Sequence, residues 1–238
     1  MMKKRVLWSL AFLIVSLGGY YSYHYYNRIY ATNVVVENGR TFIYIPTGST
    51  SDYVAEMLHQ GGLIISIEDF KWLAAKKNYQ GDNVVPGKYE IKNGWSNNDL
   101  IRNLRAGHGR VMVKVTIGTT RQLSEMIEKA GNDLELSSED LTKYLNDPAI
   151  LDKYGFNKYS ITTLFIPNTY EFTWNTSCEE FVKRMAEEYK KFWTEERKNK
   201  AKKIGLTQSE VYILASIVQS EQQQHRSEWK DIAGLYIN

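Results

Sequence analysis

The chain has 238 residues, of which 43% are hydrophobic and 24% are charged, so it is an ordinary folded protein and too long for one minimal domain. The formal net charge of +3 is accounted for by Lys3, Lys4 and Arg5, and the nearly neutral remainder gives no indication of a nucleic-acid partner. Cys178 is the single cysteine, which excludes an internal disulfide framework and a cysteine-rich metal site.

The first thirty residues predict a membrane anchor. Basic residues precede an apolar run from Val6 to Tyr21, an order that directs a chain to a membrane. The run is short for a span, which needs roughly 20 residues, but the tyrosine-rich segment 20–26 can extend it as an interfacial aromatic belt. A cleaved signal peptide is the alternative, and the lack of a small-x-small cleavage site favours the anchor. We therefore expect a single-pass protein of the inner (cytoplasmic) membrane, with a cytoplasmic N-terminus and the remainder outside.

The segment 31–110 has the pattern of a small α+β domain. From Val34 to Ile45, β-branched and aromatic residues flank Asn38-Gly39, which predicts a β-hairpin. Apolar residues at helical spacing over 53–58 predict a short helix, and the segment 86–91 predicts a return to a strand.

A similar pattern recurs from residue 111 onward. The alternating segment 111–117 predicts a strand, a turn is expected at 118–120, and helical spacing follows. The residue pattern of Ser137–Leu141 is also similar to that of Ser66–Phe70, where Ser66 and Asp69 predict a capped helix start. Two related α+β units in tandem, with the second at 111–160, are one interpretation, and chance recurrence is the other. Further on, the charged segment 181–204 keeps one apolar stripe, which predicts a single long helix.

The last predicted helix begins at a capping box. Thr207 and Glu210 have the spacing at which each side chain can bind the other residue's backbone amide. Ile213, Leu214, Ile217 and Val218 then form an apolar face, and Glu221 follows on the same face.

That placement makes Glu221 a candidate general acid. A carboxyl group set against apolar surface loses hydration, so its pKa is expected to rise toward the range that an acid catalyst needs. Gln219 is rotated off this face, toward Tyr212, Ala215 and Ser216, and its amide cannot transfer a proton in this way. A boundary residue that turns to solvent is the alternative interpretation of Glu221.

Three motifs in this chain resemble those of one known family. Leu214–Glu221 followed by Asp231–Asn238 resembles the catalytic helix and following segment of the YceG-like (MltG) endolytic murein transglycosylases. Leu164–Phe172 is similar to that family's proline-threonine-tyrosine motif, and Pro86–Tyr89 is similar to part of its LysM-like region. The motifs occur in the family's order, over most of the chain after residue 40.

The resemblance implies an α+β fold with three parts. These are an N-terminal transmembrane helix at 1–30, a LysM-like α+β domain at 31–110, and a mainly helical catalytic domain at 111–238 with its catalytic helix near 208–224. The family continues past the equivalent of Asn238, so the resemblance also leads us to expect a chain truncated at its C-terminus.

The implied reaction cleaves MurNAc-GlcNAc β-1,4 bonds within glycan strands and leaves 1,6-anhydroMurNAc ends. A hydrolytic glycosidase normally needs two carboxylates, whereas here the sugar's own 6-hydroxyl attacks and one carboxylate can act first as acid and then as base. We assign this role to Glu221 by the resemblance. Glu171 and Glu228 are candidates for a second carboxylate, with surface charge as the alternative.

The resemblance also implies substrate contacts at Thr169, Tyr170 and Gln222, although Tyr170 could equally pack in the core around Pro167. The family commonly has an acidic residue where this chain has Gln219, and a small hydroxyl residue where it has Gln222. If the essential acid were the first of the family's two glutamates, this chain would be inactive.

Two other functions stay open at this point. One is a noncatalytic glycan-binding or scaffold protein of the cell envelope, in which Gln219 marks a dead site, and the other is a lysozyme-like hydrolase. The expected partners are peptidoglycan glycan strands, the cytoplasmic membrane and cell-wall synthases. We expect no cofactor, because the four histidines are scattered without a second ligand at helical spacing and no phosphate-binding loop occurs.

Overall fold

The computed structural model describes residues 2–37, 39–118 and 123–237, and the chain divides into two compact units with the boundary between Val111 and Met112. We call the segment before this boundary unit 1 and the segment after it unit 2. Each unit combines helices with one two-stranded antiparallel sheet. The expected α+β class is therefore confirmed.

The first helix, α1, spans Met2–Tyr30. Among the helices of the described residues, none combines the length and the hydrophobicity that crossing a bilayer requires. The predicted membrane span is thus not confirmed. The C-terminal end of α1 is fixed to the rest of unit 1, because Arg28 Nε lies 2.6 Å from Asp69 Oδ1 and both Arg28 and Tyr25 pack on the Trp72 ring.

The remainder of unit 1 is built on a sheet of two strands that are distant in sequence. Its elements are β1 (Arg40–Ile45), α2 (Ser51–Gln60), α3 (Ile67–Lys76), a 3-10 turn (Gly81–Asn83), β2 (Gly87–Lys92) and α4 (Asn97–Ala106). β1 pairs antiparallel with β2, from Arg40 opposite Lys92 to Ile45 opposite Gly87. The predicted hairpin over Val34–Ile45 is therefore wrong. Val34 instead bridges Ile64, and Asn38 lies outside the described residues.

Burial explains why β1 takes β2 as its partner. Ile43 and Ile45 of β1 point into the core, and Tyr89 and Ile91 of β2 are buried on the same face. Because a strand presents alternate side chains to one face, pairing in this register places the buried residues of both strands on a single apolar face of the sheet. The helices complete the core, with Phe70 fully buried on α3.

Two buried amides join three parts of unit 1. Asn33 and Asn97 are 4% and 2% exposed, and the Asn33 side-chain amide donates to Asn97 Oδ1 at 2.6 Å. Asn33 also accepts from the backbone N–H of Ser66, at the start of α3, and Asn97 donates to the Arg28 carbonyl of α1. Since buried polar groups are costly when unpaired, these bonds fix the relative positions of α1, α3 and α4.

Unit 2, like unit 1, contains a two-stranded sheet whose strands are distant in sequence. Its elements are β3 (Val113–Ile117), α5 (Leu123–Asp133), α6 (Ser138–Asn146), α7 (Pro148–Tyr154), a 3-10 turn (Ile161–Leu164), β4 (Asn168–Phe172), α8 (Cys178–Phe192), α9 (Glu195–Lys203), α10 (Gln208–Glu221), a 3-10 turn (Arg226–Glu228) and α11 (Trp229–Ile237). β3 pairs antiparallel with β4, and Phe172 and Phe181 lie in the same core. The partner strand of β3 therefore lies outside the segment 111–160 that was predicted to form the second α+β unit.

The helix starts show which local predictions hold. Ser66 caps α3 by accepting from the backbone N–H of Asp69, and Ser137 caps α6 in the same way with Asp140. The predicted turn at 118–120 lies largely outside the described residues.

The single long helix predicted over 181–204 is wrong. The segment forms α8 and α9, which are separated by Trp193 and Thr194. Trp193 is buried, and the Thr194 side chain accepts from the backbone N–H of Arg197 to cap α9. The Arg197 guanidinium also donates to the Phe192 carbonyl at the end of α8. A new cap and a buried indole therefore end one helix and start the next.

The amide pair gives a stability prediction. Asn97→Ala should lower the free energy of unfolding by about 2 kcal/mol, because the Arg28 carbonyl and one Asn33 donor bond lose their partner in the core. Urea unfolding of the full chain measures the change. The control is Asn199→Ala on the exposed surface of α9, which should stay within about 0.5 kcal/mol of wild type. Equal effects of the two substitutions would contradict the role of the amide pair.

Candidate active site

The predicted capping box at the start of α10 is confirmed. The Thr207 hydroxyl accepts from the backbone N–H of Glu210 at 3.2 Å, and the Glu210 carboxylate accepts from the backbone N–H of Thr207 at 2.7 Å. That backbone bond, aided by the Thr207 hydroxyl, holds the pKa of Glu210 below its ordinary value. Glu210 is therefore engaged as an ionised cap of the helix.

Side chains near the start of α10 attach it to the segment before β4. The hydroxyls of Ser209 and Thr163 lie 2.9 Å apart, and Thr163 also donates to the Ser160 carbonyl. One turn later the Tyr212 hydroxyl donates to the Phe165 carbonyl at 3.3 Å, and burial raises the pKa of Tyr212. These contacts set the rotation of α10 about its own axis.

A cavity of about 810 Å³ lies between α10 and this segment, and we call it the α10 cavity. Four aromatic residues line it, together with hydroxyl and amide side chains and one guanidinium group. The lining residues are Tyr159, Thr162, Thr163, Ile166, Pro167, Phe192, Tyr212, Ile213, Ala215, Ser216, Gln219, Ser220, Gln223, Arg226 and Trp229. Among the described residues that line it, none has a carboxylate.

The phase of α10 decides which polar side chain faces this cavity. Successive residues of an α-helix are about 100° apart, so Tyr212, Ser216 and Gln219 fall along one face, and Gln223 follows in the turn after α10. All four line the cavity. Glu221 is about 200° from Gln219 around the helix and therefore belongs to a different face.

Glu221 is exposed as the last residue of α10 and is not among the residues that line the cavity. Its nearest recorded polar contact is the Tyr236 hydroxyl, 3.5 Å from Glu221 Oε1. The prediction that Glu221 lies on a buried apolar face is wrong. Among the residues of α10 only Val218 is buried, and Ile213 is 43% exposed. The desolvation expected from periodicity is thus missing at this position.

Gln222 organises the turn that follows α10. Its side chain donates to Glu228 at 2.9 Å and accepts from the backbone N–H groups of Gln224 and His225. Its carbonyl accepts from the indole N–H of Trp229 at 2.6 Å. Gln222 therefore helps to position Trp229, which lines the cavity, whereas its own side chain is not part of the lining.

Comparison with known proteins identifies the family. The model of the YceG-like family matches residues 43–238, which is most of the chain. The chain belongs to the YceG-like family.

A solved structure is also similar to this YceG-like chain. It is a 2.6 Å crystal structure of a yceG-like protein from Listeria monocytogenes, with 18% sequence identity and a TM-score of 0.46. The similarity covers 82% of this chain and 68% of the other. The search of curated proteins gives no significant match.

In this YceG-like chain, the proline-threonine-tyrosine motif forms β4 and the approach to it. Tyr170 is 5% exposed and its hydroxyl donates to the Ile166 carbonyl at 2.7 Å, so the side chain packs in the core of unit 2. Thr169 is exposed and its hydroxyl lies 2.9 Å from that of Thr116 across the sheet. Neither residue lines the α10 cavity, and neither does the exposed Glu171.

The motif contributes to the cavity through different residues. Ile166 and Pro167 line it directly, and the bond from Tyr170 to the Ile166 carbonyl holds this wall. Sequence reasoning singled out neither Trp229 nor Arg226. A tryptophan shortly after a candidate catalytic helix is a signal that could have identified Trp229, because an indole offers a large apolar face to a ligand.

Tyr170 also gives a prediction of alkaline instability. Burial raises the pKa of Tyr170 from its ordinary value of 10.0 to about 12, with a smaller contribution from Glu188. A pKa that is higher in the folded state contributes stability that is complete below pH 10 and is lost as pH rises through 12. The free energy of unfolding should therefore fall between pH 10 and 12, and fall less steeply in Tyr170→Phe.

Chemical unfolding of the full chain at several pH values measures these slopes. Burial also raises the pKa of Tyr89 in unit 1 to about 12, so Tyr89 contributes to the pH dependence of stability in every variant. The effect of Tyr170 is therefore the difference between the slope of wild type and the slope of Tyr170→Phe. Tyr53→Phe, at an exposed position, should keep the wild-type slope. An unchanged slope in Tyr170→Phe would contradict the assignment.

Proposed function

We propose that this protein acts on peptidoglycan glycan strands during cell-wall assembly and binds a strand in the α10 cavity. The observation that carries the proposal is the chemistry of the lining. Tyr159, Phe192, Tyr212 and Trp229 offer aromatic faces, and the amides of Gln219 and Gln223 offer hydrogen bonds in the same cavity. Sugar rings have apolar faces and many hydroxyl groups, so both kinds of contact suit them. Membership of the YceG-like family supports a function in the cell wall.

The reaction we propose is endolytic transglycosylation at MurNAc-GlcNAc β-1,4 bonds, with Glu221 as the acid. A proton passes from Glu221 to the glycosidic oxygen, the bond from C1 to that oxygen breaks, and O6 of the same MurNAc bonds to C1. The O6 proton then returns to Glu221, so no water is consumed and one strand ends in 1,6-anhydroMurNAc. A single carboxylate is sufficient for this cycle.

The other candidate carboxylates are less suited to the role. Glu210 is held in the cap of α10 by two hydrogen bonds, and Glu228 accepts a bond from Gln222. Glu171 lies on β4, away from the cavity lining. Glu221 directly follows the cavity residue Ser220 at the end of α10.

The proposed substrate also suggests where the protein works. Peptidoglycan lies outside the cytoplasmic membrane, so the proposal requires unit 2 and the part of unit 1 that follows α1 to lie there. The basic start of the chain, Lys3 to Arg5, is consistent with a cytoplasmic N-terminus. Cell-wall synthases are the protein partners that this location would offer.

Replacing the proposed acid gives the main test. Glu221→Gln should lower the yield of anhydro-ended fragments from purified peptidoglycan at least about 100-fold, because an amide cannot donate the proton. The products are measured by mass spectrometry after a timed digest in water enriched in ¹⁸O. Wild-type ends should carry no solvent oxygen, whereas a lysozyme-like hydrolase would incorporate it. Glu187→Gln, at an exposed position on α8, is the matched control and should retain wild-type activity.

A noncatalytic glycan-binding protein is the second candidate function, and the position of Gln219 favours it. Gln219 lines the cavity with an amide side chain, whereas Glu221 is on another face of α10. In that case wild type and Glu221→Gln bind strands equally and release no fragments, and Gln219→Glu is the variant that could acquire cleavage. The digest described above separates the two functions, because wild-type anhydro products exclude the second.

Strand binding in the cavity is tested separately from cleavage. Tyr159→Ala should weaken binding of soluble glycan strands about fivefold, since it removes one aromatic face from the lining. Tyr159 is 78% exposed, so the fold should not change. Calorimetric titration measures the affinity, with the exposed Tyr53→Ala of unit 1 as control. If Tyr159→Ala and Tyr53→Ala bound glycan strands with equal affinity, the α10 cavity would not be the binding site.

A further inference from the structure

The contacts of α1 show that it runs antiparallel to α3. Arg28 of α1 is paired with Asp69 of α3. Tyr25 is about one turn earlier on α1, and it packs on Trp72, which is about one turn later on α3. Moving toward the N-terminus of α1 therefore means moving toward the C-terminus of α3. Each turn advances both helices by about 5.4 Å, so the next turn of α1 reaches the level of Lys76, the last residue of α3.

The helix α4 has the same direction as α3. Asn97, at the start of α4, donates to the Arg28 carbonyl of α1. Arg105, in the last turn of α4, donates to the carbonyl of Lys77 at 2.9 Å, and Lys77 caps the C-terminus of α3. The C-terminal ends of both helices therefore lie together, on the side of unit 1 toward which the tyrosine-rich segment 20–26 of α1 extends.

Three cations lie at these two helix ends, and we call Lys76, Lys77 and Arg105 the basic end of unit 1. Lys76 and Arg105 are exposed, and Lys77 is half-buried. None of the three has an ion pair among the residues that the structure describes. The acidic residues of α3 and α4 lie in the first turn of each helix, away from this end. Asp82 is the next carboxylate after α3, so three cations leave a positive excess.

The neighbouring part of α1 carries a group of aromatic side chains that unit 1 leaves largely uncovered. Each of them is more than half exposed, and they are Tyr20, Tyr21, Tyr23, Tyr25 and Tyr26. A contiguous exposed aromatic surface marks an interaction site in most proteins. A tyrosine has an apolar ring and a polar hydroxyl, so it suits the boundary between the acyl chains and the headgroups of a bilayer.

We propose that unit 1 docks on a bilayer surface of anionic phospholipids through its basic end, beside the tyrosines of α1. Charge complementarity identifies the occupant, because Lys and Arg near a membrane are attracted to anionic headgroups, and the adjacent tyrosines favour the same interface. The contacts of Arg28 and Asn97 fix α1 to α3 and α4, so the helix that meets the bilayer also orients the rest of unit 1 on it. The proposed reaction gives this surface no role.

The test compares two lipid surfaces. The full chain is reconstituted with nanodiscs of phosphatidylcholine, and with nanodiscs in which phosphatidylglycerol replaces part of it. Hydrogen exchange is then followed by mass spectrometry. The amides at the C-terminal ends of α3 and α4 should exchange at least about fivefold more slowly on the anionic discs, because lipid headgroups cover them there. High salt should abolish this difference, since it screens the attraction.

A matched pair of double variants locates the docking surface. Lys76→Gln combined with Lys77→Gln should reduce the difference between the two kinds of disc to within about twofold. Lys202→Gln combined with Lys203→Gln makes the same change of charge at the exposed end of α9 and should keep the wild-type difference. Thermal melting confirms that both variants are folded.

Two results would overturn the proposal. One is equal exchange of the wild-type helix ends on neutral and anionic discs, and the other is an equal loss of the difference in both double variants. The discs contain no peptidoglycan, so the result is independent of glycan cleavage and of binding in the α10 cavity.

Discussion

The helical phase of α10 is the constraint on which the site depends. A helix presents residues three and four apart to the same neighbour and separates residues two apart by about 200°. Once Ser209 and Tyr212 are bonded to the segment before β4, the rotation of α10 is fixed. Gln219 then faces the α10 cavity, and Glu221 cannot face it at the same time.

This constraint shapes any chemistry that the site performs. Under the proposed function, a carboxylate on the face of α10 opposite the aromatic wall reaches a glycan strand only if the strand passes the C-terminal end of the helix. The turn after α10 is fixed at this end of the helix, because Gln222 joins Glu228 and Trp229 to it. Trp229 extends the aromatic wall from the cavity toward the residues that follow Glu221.

Local features were predictable from the sequence, and tertiary pairings were not. The caps at Ser66 and Thr207 depend on residues three apart, and the structure contains both. The hairpin around Asn38-Gly39 failed because β1 finds its buried register with β2, on the far side of two helices. The long helix over 181–204 failed because the burial of Trp193 at a helix break depends on neighbours distant in sequence.

The candidate site shows the same division. Periodicity correctly grouped Gln219 with Tyr212, Ala215 and Ser216, and it correctly separated Glu221 from them. It could not show that Gln219 lines the cavity and Glu221 does not, since the opposite wall comes from the segment 159–167. The apolar side chains of the other group drew attention to the wrong face. An apolar stripe predicts burial, but burial also requires an element that covers it.

The order of the paired strands has a consequence for biosynthesis. During translation, β1 can pair with β2 once Lys92 has left the ribosome, and α4 can then complete the core of unit 1. β3 must wait for Phe172, and its core for Phe181 and the rest of α8. Throughout that interval the nascent chain carries a finished N-terminal body and an unpaired edge strand, which is the form most exposed to aggregation and most in need of a chaperone.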